Sequence, residues 1–276
     1  MRRDLAGLRV LVTGASQGIG RAIAFHAALR GMRVIAAARN ADLLAKLREE
    51  VKANGQALEI VQADVASPEG REAMVRAATD RFGGLDVLVN NAGIGATGHF
   101  AESSPDVLRS IMETNFFGTV ETTRAFLPLL QQGKTPAVVN VSSILGRRAI
   151  PGRSLYSASK FAVEGWTQAI RAEFARFGID VITINPGLTQ TNFSQNMLER
   201  NARQSLDHMR GMTPDQVAIT TLNALAAGKK VVNLTFQGKA LLFANRFLPG
   251  LVDRIAAKKV RQLFAEESAQ RPPAGA

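Results

Sequence analysis

The chain alternates short apolar runs with longer stretches in which apolar residues recur every three or four positions. Runs such as "RVLVTG" (9–14), "RVIAAA" (33–38), "DVLVNN" (86–91), "PAVVNVS" (136–142) and "IDVITIN" (179–185) are short and almost uniformly apolar, the pattern of strands buried on both faces. "ALEIVQ" (57–62) and "KVVNLT" (230–235) bring the strand candidates to seven. Between them the spacing predicts helices over 18–30, 40–54, 68–82, 105–131, 155–177 and 214–227. Gly31, Gly55, Gly83 and Gly178 follow four of these, where a left-handed helix stop suits glycine. Such alternation predicts the α/β class, a doubly wound parallel sheet of about seven strands with helices on both faces.

The organisation expected is one domain over residues 1–235, an amphipathic helical extension over 236–266, and a disordered tail over 267–276 that includes "QRPPAGA". A chain of 276 residues with 46% hydrophobic content can bury one sizeable core. Cysteine is absent, which excludes disulfides, thiolate metal sites and a cysteine nucleophile. No apolar run approaches the roughly 20 residues that span a bilayer, and the opening "MRRDLAGLRVLVTG" breaks at Gly14, too early for a signal-peptide core. The expected location is therefore cytoplasmic, with peripheral attachment to a membrane surface as the variant reading.

Charge sharpens that variant. The net charge is +11, and between residues 228 and 264 eight basic residues face a single acidic one, Asp253. In that stretch Leu241, Leu242, Phe243, Phe247, Leu248, Leu251, Val252 and Ile255 interleave with the basic residues, a composition suited to a lipid headgroup layer. Packing on the body or on a dimer mate is the competing reading, and the tail's basic character also admits an anionic or nucleic-acid partner, although no nucleic acid is expected.

The chemistry-bearing motifs sit at the strand ends. "TGASQGIG" places glycines at 14, 18 and 20 between the first strand and first helix, where a backbone turn brings N–H groups to a pyrophosphate at a helix N-terminus. "ADV" (63–65) follows the third strand and offers a carboxylate and a backbone N–H to an adenine ring; a helix-capping Asp is the alternative. "NNAG" (90–93) ends the fourth strand on the ligand-binding edge of an open sheet. After the second strand, Ala38 occupies the place where an acidic residue would meet a ribose 2′-OH, and Arg39 follows it, favouring NADP(H) over NAD(H) without excluding NAD.

The chain's only tyrosine, Tyr156, precedes Lys160 by one helical turn behind a Ser154 expected to cap the helix. An ammonium beside a phenol favours phenolate and lowers its pKa from near 10, towards the range useful for acid/base work. Ser143, 13 residues upstream at a strand end, can hold a substrate oxygen beside that phenol. Asn115 lies in a helix candidate beside Gly118, a local inconsistency of the kind found at functional sites. "NPGLTQTNF" (185–193) sets a rigid turn next to Thr189 and Thr191. His26, His99 and His208 fit no metal site or triad by spacing and read as structural; no metal is expected.

In this order and spacing the motifs over residues 7–195 resemble those of the short-chain dehydrogenase/reductase family of the Tyr-x-x-x-Lys type. The resemblance implies a Rossmann-type fold and hydride transfer between a nicotinamide and a carbonyl or alcohol carbon. It assigns Tyr156 as acid or base, Lys160 as its pKa-lowering and ribose-holding partner, Ser143 to the substrate oxygen, and Asn115 to the lysine and a proton-carrying water. It assigns Gly14, Ser16, Gly18, Ile19 and Gly20 to the pyrophosphate, Arg39 to the 2′-phosphate, and Asp64 and Val65 to the adenine, with Asn40 also among the cofactor-binding residues. Asn91, Ala92 and Gly93 would line the adenosine side, with Pro186, Gly187, Leu188, Thr189 and Thr191 around the carboxamide, while Leu145 and Phe193 join Ser143 and Tyr156 at the substrate.

The segment "NFSQNMLERNARQSLDHMRGM" is expected to be a lid. The tail departs from the ending common in tetrameric members, which points to a homodimer or monomer and to a hydrophobic, lipid-like, acyl or steroid-like substrate. The alternatives are a reductase of small soluble ketones or 3-oxoacyl thioesters, and a non-catalytic dinucleotide sensor; retention of both Tyr156 and Lys160 argues against the sensor.

Overall fold

The computed structural model describes residues 2–191, 193, 197–199 and 211–265. Its strands are β1 (Arg9–Thr13), β2 (Arg33–Ala38), β3 (Leu58–Gln62), β4 (Val87–Asn90), β5 (Ala137–Val141), β6 (Asp180–Asn185) and β7 (Val231–Asn233). All neighbours pair in parallel, in the order β3-β2-β1-β4-β5-β6-β7. The chain reverses its direction of winding between β1 and β4, which opens a crevice at their C-terminal ends.

Helices α1 (Gly18–Leu29), α2 (Ala41–Ala53) and α3 (Pro68–Phe82) link the first four strands. Next come α4 (Pro105–Met112), α5 (Gly118–Gln131), α6 (Ser154–Glu173) and α7 (Pro214–Ala227). Period-2 geometry sends alternate strand residues to opposite faces. Val10 and Val12 of β1 enter one core with Ile23 and Leu222, while Leu11 enters the other with Met74 and Phe126. Both faces are covered, which is why the middles of the central strands are mostly apolar.

Two expectations are corrected. The segment 105–131 is not one helix: a π-helical turn (Glu113–Phe117) separates α4 from α5. Ser154 does not cap α6 but is its first residue, because the chain enters from Arg153, whose carbonyl accepts from the Ser157 N–H at 2.8 Å. The four glycine stops do take positive φ, from 66° to 74°.

Beyond β7 the chain forms α8 (Phe236–Phe247) and α9 (Pro249–Leu263). Thr235 caps α8 by accepting from Gly238 N–H at 3.1 Å. Close approach fixes its seat: a Cβ on Gly187 would lie 2.2 Å from Thr235 Oγ1, and one on Gly238 would lie 2.7 Å from Ile144. Arg148 then ties α8 to α9, donating to Asn245 Oδ1 at 2.9 Å and pairing with Asp253 at 2.5 Å. The expected lid lies mostly outside the described residues, as do His208 and the tail 267–276.

Candidate active site

A cavity of about 980 Å³ opens over the C-terminal ends of the strands. Its floor is the glycine turn between β1 and α1. Gly14 holds φ +65°, and a Cβ there would come 2.7 Å from Ala92 Cα; a Cβ on Gly20 would fall 2.2 Å from Asn91 Nδ2. Only glycine permits this approach of the turn to the chain after β4. Of the paired asparagines there, Asn90 turns inward to donate to Thr123 and Asn140, both at 2.9 Å. Asn91 turns instead to the glycine turn, donating to the carbonyls of Thr13 at 3.0 Å and Gly14 at 3.2 Å. Thr13, which sequence reasoning passed over, accepts from the Asn91 and Ala92 N–H groups at 3.0 and 3.1 Å.

The remaining expected cofactor residues line the same cavity: Ser16, Gly18, Ile19, Arg39, Asn40, Asp64, Val65, Gly93, Pro186, Gly187, Leu188, Thr189 and Thr191. Asn40 has a structural duty as well, capping α2 by accepting from Leu43 N–H at 2.9 Å. Asp64 is not the cap of α3, a role Ser67 fills. It accepts from the Ala66 N–H at 3.0 Å and lies 3.9 Å from the largely exposed Arg39 guanidinium. Gly118, a weak helix former, has a packing reason: a Cβ would come 2.9 Å from Val65.

Asn115 is 1% exposed and sits in the π-turn. Its Oδ1 accepts from Ile94 N–H at 2.8 Å, and its Nδ2 donates to Ile94 O and Ser159 Oγ, both at 2.9 Å. The side chain thus clamps the loop after β4 to α6. A Cβ on Gly93 would sit 3.2 Å from Asn115 Oδ1 and 3.6 Å from Lys160 Nζ, so both groups converge on that glycine.

Tyr156 and Lys160 share one face of α6, with the ammonium 5.8 Å from the phenol ring centroid. Lys160 is 4% exposed and donates to Val141 O at 3.0 Å. Burial lowers its pKa to about 8, with the Glu164 carboxylate one turn further on opposing that fall. The Tyr156 ring keeps some accessible surface towards the cavity. Burial nevertheless pushes its phenol up to about 12, against the hydrogen bond with the Ser143 hydroxyl and the positive charge of Arg153. The lowered phenol pKa expected from Lys160 is thus not found: removal of water dominates, and the effects that oppose it come from Ser143 and Arg153. Ser143 also accepts from Leu145 N–H at 3.1 Å, which points its oxygen at the same corner.

Beyond this corner the wall is apolar. Ile94, Leu145, Ile150, Phe193, Met197 and Leu241 line it, with the Phe193 and Tyr156 rings edge to face at 5.7 Å between centroids. Sequence reasoning missed Ile150, Arg153, Met197 and the α8 residues Gln237, Gly238 and Leu241. Arg153, three residues before the tyrosine, was the one with a readable helical spacing.

A tyrosine beside a serine and one helical turn from a buried lysine, next to a glycine turn at a sheet switch point, is the arrangement expected of a nicotinamide-dependent oxidoreductase. The comparisons agree: a family model for short chain dehydrogenases matches residues 9–202, and the chain belongs to that family. It is an NAD(P)-dependent oxidoreductase acting on a small molecule. It is 36% identical over 275 residues to dehydrogenase/reductase SDR family member 7B of Bos taurus, covering 95% of this chain and 84% of that protein. It is 34% identical over 258 residues to the ketoacyl reductase HetN of Nostoc, covering 91% and 88%. A solved short chain dehydrogenase from Burkholderia cenocepacia in complex with NADP superposes with a TM-score of 0.78 at 28% identity, covering 92% and 99%. Among the described residues, no helix is long and apolar enough to cross a membrane and no cluster suits a metal ion.

Proposed function

We propose that the chain is an NADP(H)-preferring carbonyl reductase or alcohol dehydrogenase for an apolar substrate. The carrying observation is that Ser143, Tyr156 and Lys160 line one cavity, with Lys160 buried on the same helix face as the phenol. Gly14, Ser16, Gly18 and Ile19 line the cavity where α1 begins, and a helix N-terminus open to a cavity fits a dinucleotide pyrophosphate. Gly14, Ser16, Gly18 and Ile19 would hold that pyrophosphate, with Asp64 and Val65 at the adenine and Thr189 and Thr191 at the carboxamide, while Gly20 does not line the cavity but packs behind the turn against Asn91 and Gly14. When bound, the nicotinamide supplies or accepts the hydride.

In the direction of reduction Tyr156 Oη gives its proton to the carbonyl oxygen, which Ser143 Oγ orients. A phenol held up at about 12 keeps its proton at neutral pH. Lys160 stabilises the phenolate left behind, and Asn115 fixes the backbone around both. In oxidation the same groups run in reverse, with Tyr156 as base.

Arg39 supports the cofactor preference. Its pair with Asp64 is exposed and 3.9 Å long, a contact worth under about 1 kcal/mol, whereas hydrogen bonds to a charged group contribute about 1.5–3 kcal/mol. A 2′-phosphate would therefore displace the carboxylate. The six apolar wall residues favour a substrate with a hydrocarbon body, and the ketoacyl group in the name of the Nostoc relative has that character next to a carbonyl.

Purified protein with NADPH and a panel of hydrophobic ketones should show loss of nicotinamide absorbance, faster than with NADH and abolished by Tyr156→Phe. Binding of NADPH with silence across the panel, and no effect of Tyr156→Phe in cells, would overturn the catalytic reading.

A further inference from the structure

We propose that α8 and α9 form a docking face for an anionic lipid bilayer. Along α8, Phe236, Phe243 and Phe247 recur at intervals of seven and four and stack on one face. They are 82%, 68% and 61% exposed, and the rings of Phe243 and Phe247 pack together at 4.8 Å. Gly238 and Asn245 project from the opposite face, the first against Ile144 and the second bonded to Arg148. The aromatic row therefore points away from the body. On α9, Val252, Ala256 and Val260 turn inward, while Leu251 and Ile255 stay exposed beside Arg254 and Lys258. At the far end, Phe264 meets His99 edge to face at 4.6 Å, which seats α9 on the loop after β4.

Single exposed apolar residues are ordinary. A row of three phenylalanines continued by Leu248, Leu251 and Ile255 is not, and marks an interaction surface. Charge selects the occupant. Between residues 236 and 263 lie Lys239, Arg246, Arg254, Lys258, Lys259 and Arg261, with Asp253 the sole acid. Asp253 is held by Arg148, and none of the six cations takes part in an ion pair among the described residues. A second copy would bring the same cations face to face, and the repulsion disfavours it. Anionic headgroups would neutralise them while the phenylalanines enter the acyl boundary, the combination that holds interfacial helices.

The face adjoins the active cavity, since Leu241 on α8 lines it. Docking would set that mouth at the lipid surface, where an apolar substrate is concentrated. The docking itself does not depend on the catalytic reading.

The test is co-sedimentation of the full chain with vesicles of phosphatidylcholine alone, and of phosphatidylcholine with one-third phosphatidylglycerol, at low and high salt. The wild type should bind the anionic vesicles, and more weakly as salt rises. Removing one cation near such a surface should weaken binding about fivefold. The charge reversals Lys258→Glu with Lys259→Glu, and separately Phe243→Ser with Phe247→Ser, should each weaken it more than about tenfold. The melting temperature and nucleotide affinity of both variants should stay at the wild-type value, because these side chains are exposed and lie outside the cavity. Vesicle binding unchanged by both variants would overturn the proposal. So would failure to bind vesicles together with a dimer that Phe243→Ser with Phe247→Ser dissociates in sedimentation velocity, which would assign the face to a second copy. Salt-sensitive retention of DNA without vesicle binding would also overturn it.

Discussion

Asn115 Nδ2 donates to Ser159 Oγ at 2.9 Å, and that hydroxyl donates in turn to the Tyr156 carbonyl at 2.8 Å. The π-turn is thereby bolted to the helix that carries the proposed acid and its lysine. Removing the amide by Asn115→Ala strands the Ile94 N–H and C=O as well as Ser159. It should cost about 2–3 kcal/mol, as unsatisfied buried groups do. Thermal melting should report that loss, and kcat should fall by a larger factor than nucleotide affinity.

Because Tyr156 is the chain's only tyrosine, phenolate absorbance reports a single group. With the phenol held up at about 12, the folded protein without nucleotide should show only about 1% phenolate at pH 10, where an ordinary tyrosine is half ionised. Circular dichroism at the same pH checks that the chain is folded. Oxidised nicotinamide cofactor, with its positive ring, should increase the phenolate signal. Half-ionisation at pH 10 in the folded protein would refute the dominance of burial.

Lys160 carries the opposite sign. Its pKa is lowered to about 8 in the folded chain, so the unfolded chain binds more protons from there up to about 10.4, and stability rises with pH across that window. Lys160→Met should remove the penalty. The variant should be more stable than wild type by about 1–3 kcal/mol below pH 8, the gain fading towards pH 10, while turnover is lost. Denaturant titrations at several pH values would show this; a variant less stable at pH 7 would contradict it.

Arg39→Ala should weaken NADPH binding about tenfold to a hundredfold, the value of charge-assisted hydrogen bonds, and leave NADH within about threefold. Fluorescence titration with the two reduced cofactors measures both. Equal losses for the two would remove Arg39 from the 2′-phosphate.

Far from the cavity, Asp86 is buried and accepts from Arg9 N, Nε and Nη2 at 2.8, 2.9 and 2.7 Å and from Lys134 N at 2.6 Å. Burial alone would raise its pKa, but these donors together hold it below the usual carboxylate value. A lowered pKa gives stability that is present above the unfolded value and lost as pH falls through the folded one. Asp86→Asn should therefore cost about 2–4 kcal/mol at pH 7, a broken buried pair with one partner near the surface, and less below pH 4. Urea unfolding at pH 7 and pH 3.5 checks the direction.

The strands were legible because burial on both faces demands nearly continuous apolar residues, and Val10, Leu11 and Val12 divide between two cores as that demand requires. The glycine turn and the Tyr156–Lys160 spacing were legible because both lie within one turn of chain. The break at Asn115 showed only as a local inconsistency: its partner in the fold, bonded twice, is Ile94, 21 residues away. The contribution of Gln237, Gly238 and Leu241 to the cavity was not legible, since it depends on Gly187 and Gly238 allowing α8 to close against β6 and Ile144.

By itself the sequence determined what local spacing can encode: the alternation of elements, the residues at the strand ends, and the reactive groups set one helical turn apart. The tertiary structure decided how much water those groups keep. Lys160, one turn from Tyr156, implied a lowered phenol pKa, yet burial of the ring, against the lowering effects of Ser143 and Arg153, left it raised to about 12. Charge–charge effects follow from spacing along a helix, whereas desolvation follows from everything folded around it, and in this site desolvation is the larger.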